Sequence, residues 1–392
     1  MRLTGRWLVL VCGTTALLQA VFYGVRVLVT YRTLALDGGV GTVGMITALF
    51  SLVPLLIAIP VGRWIDGGRT GLVFRLGIAL TIVGILMVQA SSSIAAIGVG
   101  AMVIGGGQLL ATVASQAFVS LLARRTKNDL DKGFAALTLS VSIGQAFGVP
   151  IVGLVVGRDA DGRVQTGPAL LVMAVIAVIA LVVLWGVRDT RVMAAGSARE
   201  ARQSAPRMLR TPGLPPAIYN GMVVLAALDL TVAYLPVIGE ARGFDVGIVT
   251  VLITARTIAS VVARALLPTL LGRIPRGVLL VCAVLVPAPA VAMIPFVECA
   301  WGLGVLLAVA GFFWGVGQPL AMTWVVSLVD PANRGAALSL RLMGNRVGQV
   351  VIPTVAGVLS GIGGVAAVFV ISGLLLGSAG VSSWRAVRAG RI

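Results

Sequence analysis

The stretch VGRWIDGGRTG, Val61 to Gly71, sets one acid, two arginines and four glycines between two long apolar runs. A helix needs roughly 20 apolar residues to cross a bilayer. The runs at 41–61 and 72–91 both meet that length, so the stretch reads as a tight turn joining two membrane helices. Outward from it the same pattern recurs along all 392 residues. Hydrophobic residues make up 58% of the chain, charged residues only 11%, and the mean hydropathy is +1.06. A soluble domain carries about 25% charged residues. Backbone polar groups within lipid must be satisfied inside the chain, which leaves helices or a closed barrel. The runs are too long and too uniformly apolar for barrel strands, which alternate. The fold class is an all-α polytopic membrane protein.

Twelve spans are expected, at 7–31, 41–61, 72–91, 95–122, 133–157, 168–187, 215–238, 244–270, 276–296, 300–327, 335–359 and 364–384. The run after Arg2 and Arg6 is read as the first span rather than a signal peptide, because no small-residue cleavage site interrupts it. The longest connection, 188–214, carries six arginines with proline and serine, and divides the chain into a 1–187 bundle, a basic linker and a 215–392 bundle. Basic residues set orientation. With both termini cytoplasmic, the inside segments hold 21 Lys and Arg and the outside loops four, Arg32, Arg158, Arg163 and Arg242. The net charge of +17 is therefore a topology signal, with attraction to anionic inner-leaflet lipid, and not a nucleic-acid footprint. The expected location is the cell membrane.

Cys12, Cys282 and Cys299 are scattered, and the first two lie in apolar runs, so they form neither a disulfide framework nor a metal set. Histidine is absent and no phosphate-binding loop is present. An enzyme is not expected, nor a cofactor, a metal or direct use of ATP.

The halves repeat. GGGQLLA (105–111) matches GVGQPLA (315–321). Tyr31, Val43, Gly44 and Thr47 recur as Tyr234, Val246, Gly247 and Thr250, each 203 residues later. GFAALTLSVSIGQAFGVPIVG (133–153) parallels GAALSLRLMGNRVGQVVIPTVAG (335–357). Three matches in order, at offsets of 200 to 210, indicate two six-helix bundles of like orientation, pseudo-symmetric about an axis along the membrane normal.

On these residues the chain resembles the major facilitator superfamily along its full length. The family's glycine–aspartate–arginine turn is represented by Gly62, Asp66, Gly68 and Arg69. The resemblance implies a latch that stabilises one conformation; an ordinary basic loop is the alternative. The turn departs from the pattern in being one residue short, with Gly67 where an arginine usually follows the aspartate, and the second half keeps only Gly272 and Arg273. Gly144, Gly148, Pro150 and Gly153 resemble the helix-5 signature of proton-coupled exporters, with Val149 intervening before the proline. Such glycines also serve plain helix packing. The segment GAMVIGGGQ lacks the arginine that many proton-coupled exporters carry there.

Ionisable residues inside spans are costly and are functional candidates. Gln19, Tyr23 and Arg26 share one face of the first span. Asp229 lies 203 residues after Arg26, the offset of the tyrosine pair, and is the one acid placed deep in a span. Two arrangements are open: the two pair across an outer gate, or each pairs within its own bundle. Gln108 and Thr112 share a face of the fourth span, and Trp314 and Gln318 a face of the tenth. In the resembled fold the first, fourth, seventh and tenth helices line the cavity. The expected lining is therefore Gln19, Tyr23, Arg26, Gln108, Thr112, Trp314 and Gln318, with Arg346 deep in the eleventh span. Arg341, Asn345 and Gln349 share one face of that same span.

The leading functional reading is a monomeric exporter of small organic molecules, driven by proton antiport through Asp229. A transporter of an anionic metabolite is the second, favoured by five embedded arginines, Arg26, Arg256, Arg264, Arg341 and Arg346, against one deep acid. A proton-coupled importer is a further alternative. A receptor or scaffold has no signalling domain to support it.

Overall fold

A computed structural model describes residues 4–66, 68–122, 127–159, 162, 164–185, 208–330 and 333–390. Most of the expected linker, 188–207, lies outside these.

The described chain is nearly all helix. The first six long helices are α1 Thr4–Ala35, α2 Val40–Asp66, α3 Thr70–Ala90, α4 Ile94–Leu122, α5 Lys127–Val155 and α6 Gly167–Trp185. They are followed by α7 Leu214–Ala241 and α8 Val246–Leu271. The remaining spans are α9 Arg276–Phe296, α10 Ala300–Ser327, α11 Ala337–Gly361 and α12 Gly363–Arg388. Twelve helices are long and apolar enough to cross a membrane, at the twelve places expected from the sequence, with ends moved by a few residues.

Local chemistry explains the breaks. α9 is interrupted after Leu285, where Pro287 removes a backbone donor, and its last turn tightens to a 3₁₀ form around Pro295. α11 and α12 run on from one helix into the next across Gly363 and Gly364. Gly364 takes φ 60 and ψ −155, a region open to glycine because it has no Cβ. The loop after α5 carries a short two-stranded hairpin. Gly157–Arg158 pairs antiparallel with Val164–Gln165, and the Arg158 guanidinium donates to the Gly162 carbonyl at 2.8 Å.

Two compact units result. The first contains α1, α3–α6 and α2 from Leu49 onward; the second contains α7–α12 together with Val40–Ala48. In the first, α1 packs on α5, α6 and α4, and α3 packs on α4. In the second, α7 packs on α11–α12 and α8 on α10.

The repeated G-x-G-Q segment has a packing cause. A Cβ on Gly105 would overlap the Phe50 carbonyl of α2, and one on Gly107 would lie 2.5 Å from the Gly77 carbonyl of α3. In the second unit a Cβ on Gly315 would overlap the Ser260 carbonyl of α8, and one on Gly317 would lie 2.9 Å from the Ala283 side chain of α9. In each unit the two glycines seat one helix against two neighbours. Small residues allow this close approach where lipid supplies no hydrophobic drive between helices.

Each unit carries its own apolar core. That of the first joins Val61, Phe74, Ile78, Leu110, Phe118 and Leu184. That of the second joins Leu214, Leu279, Leu320 and Trp324, and draws in Met208, which the sequence assigns to the linker.

Candidate functional site

In the first unit, α1, α3 and α4 line a small, partly open cavity of about 10 Å³, room for about one water. Thr15, Gln19, Gln108, Thr112 and Ser115 line it, with Leu18, Phe74 and Ala111. Three predicted lining residues, Gln19, Gln108 and Thr112, are therefore brought together, with Thr15 and Ser115 added. The hydroxyls of Thr15 and Ser115 donate to their own helices, to the Val11 carbonyl at 2.8 Å and the Thr112 carbonyl at 2.9 Å. The glutamine amides remain as adaptable donors and acceptors on the wall. The volume is about that of a single water, far below the roughly 300 Å³ at which drug-sized pockets begin.

One and two turns further along α1 lie Tyr23 and Arg26. Tyr23 meets Phe22 edge to face, with ring centroids 5.9 Å apart. Arg26 is 6% exposed, and its guanidinium lies 5.7 Å from the Phe22 ring and 5.8 Å from the Phe50 ring. A desolvated cation gains from the negative faces of aromatic rings. Phe22 is four residues before Arg26 and was legible as a neighbour; Phe50, on another helix, was not.

In the second unit Asp229 is 4% exposed on α7. Its Oδ2 accepts from the Gln349 Nε2 of α11 at 2.8 Å. The Oε1 of Gln349 in turn accepts from Arg346 Nη1 at 3.1 Å. Arg346, expected on a cavity wall, is thus connected to Asp229 through an amide. The sequence reading passed over Gln349 as a site residue, although its place on the polar face of α11 was visible. Gln318 accepts from the Arg264 guanidinium of α8 at 3.1 Å. Trp314 is 1% exposed, and its indole N–H has no hydrogen-bond partner among the described residues.

The turn after α2 is closed by backbone bonds, Gly68 to the Ile65 carbonyl at 2.9 Å and Arg69 to the Trp64 carbonyl at 3.3 Å. Gly68 has φ 78, which a side chain would strain. Arg69 is exposed and Gly62 has open space around it. Asp66 ends α2, and its side chain lies outside the described residues, as does Gly67. In α5, a Cβ on Gly144 or Gly148 would overlap the Ala16 or Ala20 carbonyl of α1. Pro150 sits inside the same helix and Gly153 is half-buried on it.

A family model for the Major Facilitator Superfamily matches residues 11–329. No curated protein matches the chain significantly. Among solved structures, a mutant of the nucleoside transporter NupG is similar with a TM-score of 0.81 at 14% identity, covering 96% of this chain and 99% of that one. A POT family transporter in complex with a thioalcohol-conjugated peptide gives 0.79 at 14% identity, covering 98% and 96%. A D-xylose-proton symporter gives 0.76 at 13% identity, covering 95% and 96%. At these identities the likeness is one of fold.

Proposed function

Because the chain belongs to the Major Facilitator Superfamily, we propose that it is a secondary active transporter exporting small organic molecules by alternating access, with protons moving in exchange. It works as a monomer in the cell membrane with both termini cytoplasmic. The observation that carries the coupling is Asp229, the one acidic residue among the described buried residues, tied by Gln349 to Arg346. A carboxylate held out of water changes its interactions strongly when it gains or loses a proton. Rearrangement of its amide and arginine neighbours converts that change into a bias between conformations. In the cycle Arg26 and Asp229 take part in gating, and Gln19, Gln108, Thr112, Trp314 and Gln318 contribute to the substrate path.

Export is favoured by the α5 glycines, whose close seating on α1 suits a helix pair that must seal against leak. A second reading, transport of an anionic metabolite, is favoured by Arg341, buried on α11. Import with protons, as in the symporter of like fold, is the alternative direction.

Everted membrane vesicles energised to an acidic interior test the proposal. Uptake of lipophilic cations, neutral compounds and organic anions is followed with and without an uncoupler, for the parent and for Asp229→Asn. The expected result is uptake that collapses with the uncoupler and with the substitution. Uncoupler-resistant uptake, or undiminished uptake by Asp229→Asn, removes proton antiport through this residue.

A further inference from the structure

We propose that Arg273, Arg276, Arg385 and Arg388, with Trp384, form a binding site on the second unit for the headgroup of an anionic phospholipid. The site goes beyond the transport reading and depends on neither a substrate nor a coupling ion.

The corner is built by α9 and α12, which pack on each other along their length. A Cβ on Gly373 would lie 2.7 Å from the Ala288 carbonyl, and one on Gly277 would lie 3.0 Å from the Val387 side chain. The first turn of α9 therefore abuts the last turn of α12. Arg276 precedes Gly277 and Arg388 follows Val387, so this contact brings the two arginines to one place. Arg385 stands one turn before Arg388, and Arg273 lies in the turn that leads into α9. All four arginines are exposed. Among the described residues none of their side chains has a hydrogen bond or an ion pair. Like charges gathered without an acid repel one another, and an anion that joins them relieves that repulsion. Arg388 is also held in place. Its guanidinium lies 4.0 Å from the centroid of the Trp384 ring, one turn away. The stacking limits the rotamer freedom that Arg388 loses on binding. The first unit repeats the pairing, with Arg75 5.8 Å from the Trp185 ring at the end of α6.

An apolar stripe leads up to this corner. Leu374 and Val381, 69% and 42% exposed, precede Arg388 by 14 and 7 residues and so share its face of α12. Val278 is exposed on the adjoining turn of α9. Exposed leucine and valine on a membrane helix meet acyl chains. Trp384, where the stripe gives way to arginine, marks the headgroup level, at which tryptophan is enriched. A phosphodiester carries one negative charge and two free oxygens that match the paired donors of a guanidinium. A zwitterionic headgroup brings the same phosphate with a cation that the arginines repel. A soluble phosphodiester has no chains to lay along the stripe. Charge and apolar surface together select a diacyl lipid of net negative charge.

Native mass spectrometry of the purified full chain in detergent, titrated with dioleoylphosphatidylglycerol, tests the site. Dioleoylphosphatidylcholine is the zwitterionic comparison, and glycerophosphoglycerol is the same headgroup without chains. Phosphatidylglycerol is expected to form a saturable adduct, tighter than that of phosphatidylcholine and not displaced by an equal concentration of glycerophosphoglycerol. A basic residue near the surface is worth about five-fold in affinity for anionic lipid. Removing two, in Arg385→Gln with Arg388→Gln, is therefore expected to weaken the adduct roughly ten-fold or more. Arg63→Gln with Arg69→Gln removes the same charge from exposed positions of the first unit and should leave the adduct nearly unchanged. Trp384→Ala releases Arg388 and is expected to cost about two- to five-fold, most of which Trp384→Phe restores. If the Arg385 and Arg388 double variant does not fold, Arg388→Gln alone and Trp384→Ala carry the same comparisons. Equal affinity for the two lipids overturns the proposal and leaves only unselective adhesion. Equal loss in the two double variants overturns it in favour of overall charge. Displacement by glycerophosphoglycerol overturns the lipid in favour of a soluble anion.

Discussion

Asp229 shows how a single buried group depends on its neighbours. Its Oδ2 receives the Gln349 amide at 2.8 Å. A hydrogen bond to a charged group contributes about 1.5–3 kcal/mol. Gln349→Ala is expected to lower thermal stability measurably in detergent and to reduce proton-linked flux, while Gln349→Glu places a second acid beside the first and makes flux steeply pH-dependent. Unchanged melting and flux in Gln349→Ala would show that the amide is incidental. Asp229 and Arg346 were both visible in the sequence as ionisable residues within apolar runs. Their connection was not, because it passes through a neutral amide on a helix distant in sequence. Arg26 repeats the point: half of its aromatic surround, Phe50, comes from another helix.

At the scale of the helix, glycine spacing and glycine purpose separate. A Cβ at Gly148 would run into the Ala20 carbonyl, whereas Gly62 has nothing within 4 Å of that position. Gly148→Val is expected to cost about 1–3 kcal/mol through overpacking of α1 against α5. Gly62→Ala should fall within about 0.5 kcal/mol of the parent, as surface changes away from special features do. Comparative melting of the two variants checks both numbers. A Gly62→Ala variant that keeps its melting temperature but changes transport rate would point to the latch, and an unchanged rate to an ordinary turn. The motif in α5 resembles an exporter signature, and in this chain its first two glycines are also the points of helix contact.

For the molecule as a whole, the positive-inside rule gives an orientation that native cysteines can report. Cys299 is exposed in the connection between α9 and α10, which that orientation places outside, while Cys12 is buried. A membrane-impermeant thiol reagent applied to intact cells is expected to label the chain, and Cys299→Ser to abolish the labelling. In that background Arg273→Cys, exposed between α8 and α9, should react only after permeabilisation. The reverse pattern would invert the topology. The repeat belongs to this scale too. The G-x-G-Q segments recur because each unit solves the same problem, one helix seated on two neighbours, with the same small residues.

Composition and hydropathy by themselves determined the class, the number of spans and their places. The reason is that lipid forces every backbone polar group into a helix of predictable length. Spacing alone also determined the two-fold repeat and which embedded residues were unusual. Tertiary structure decided which of those residues meet. Gln19, Gln108 and Thr112 share one cavity wall, Asp229 reaches Arg346 through Gln349, and Arg341 and Asn345 pack tightly against Gly221 of α7. Helical periodicity states the face a residue occupies on its own helix. The partner on the next helix depends on rotation, depth and the small residues that let two backbones approach, and these are properties of the packed unit.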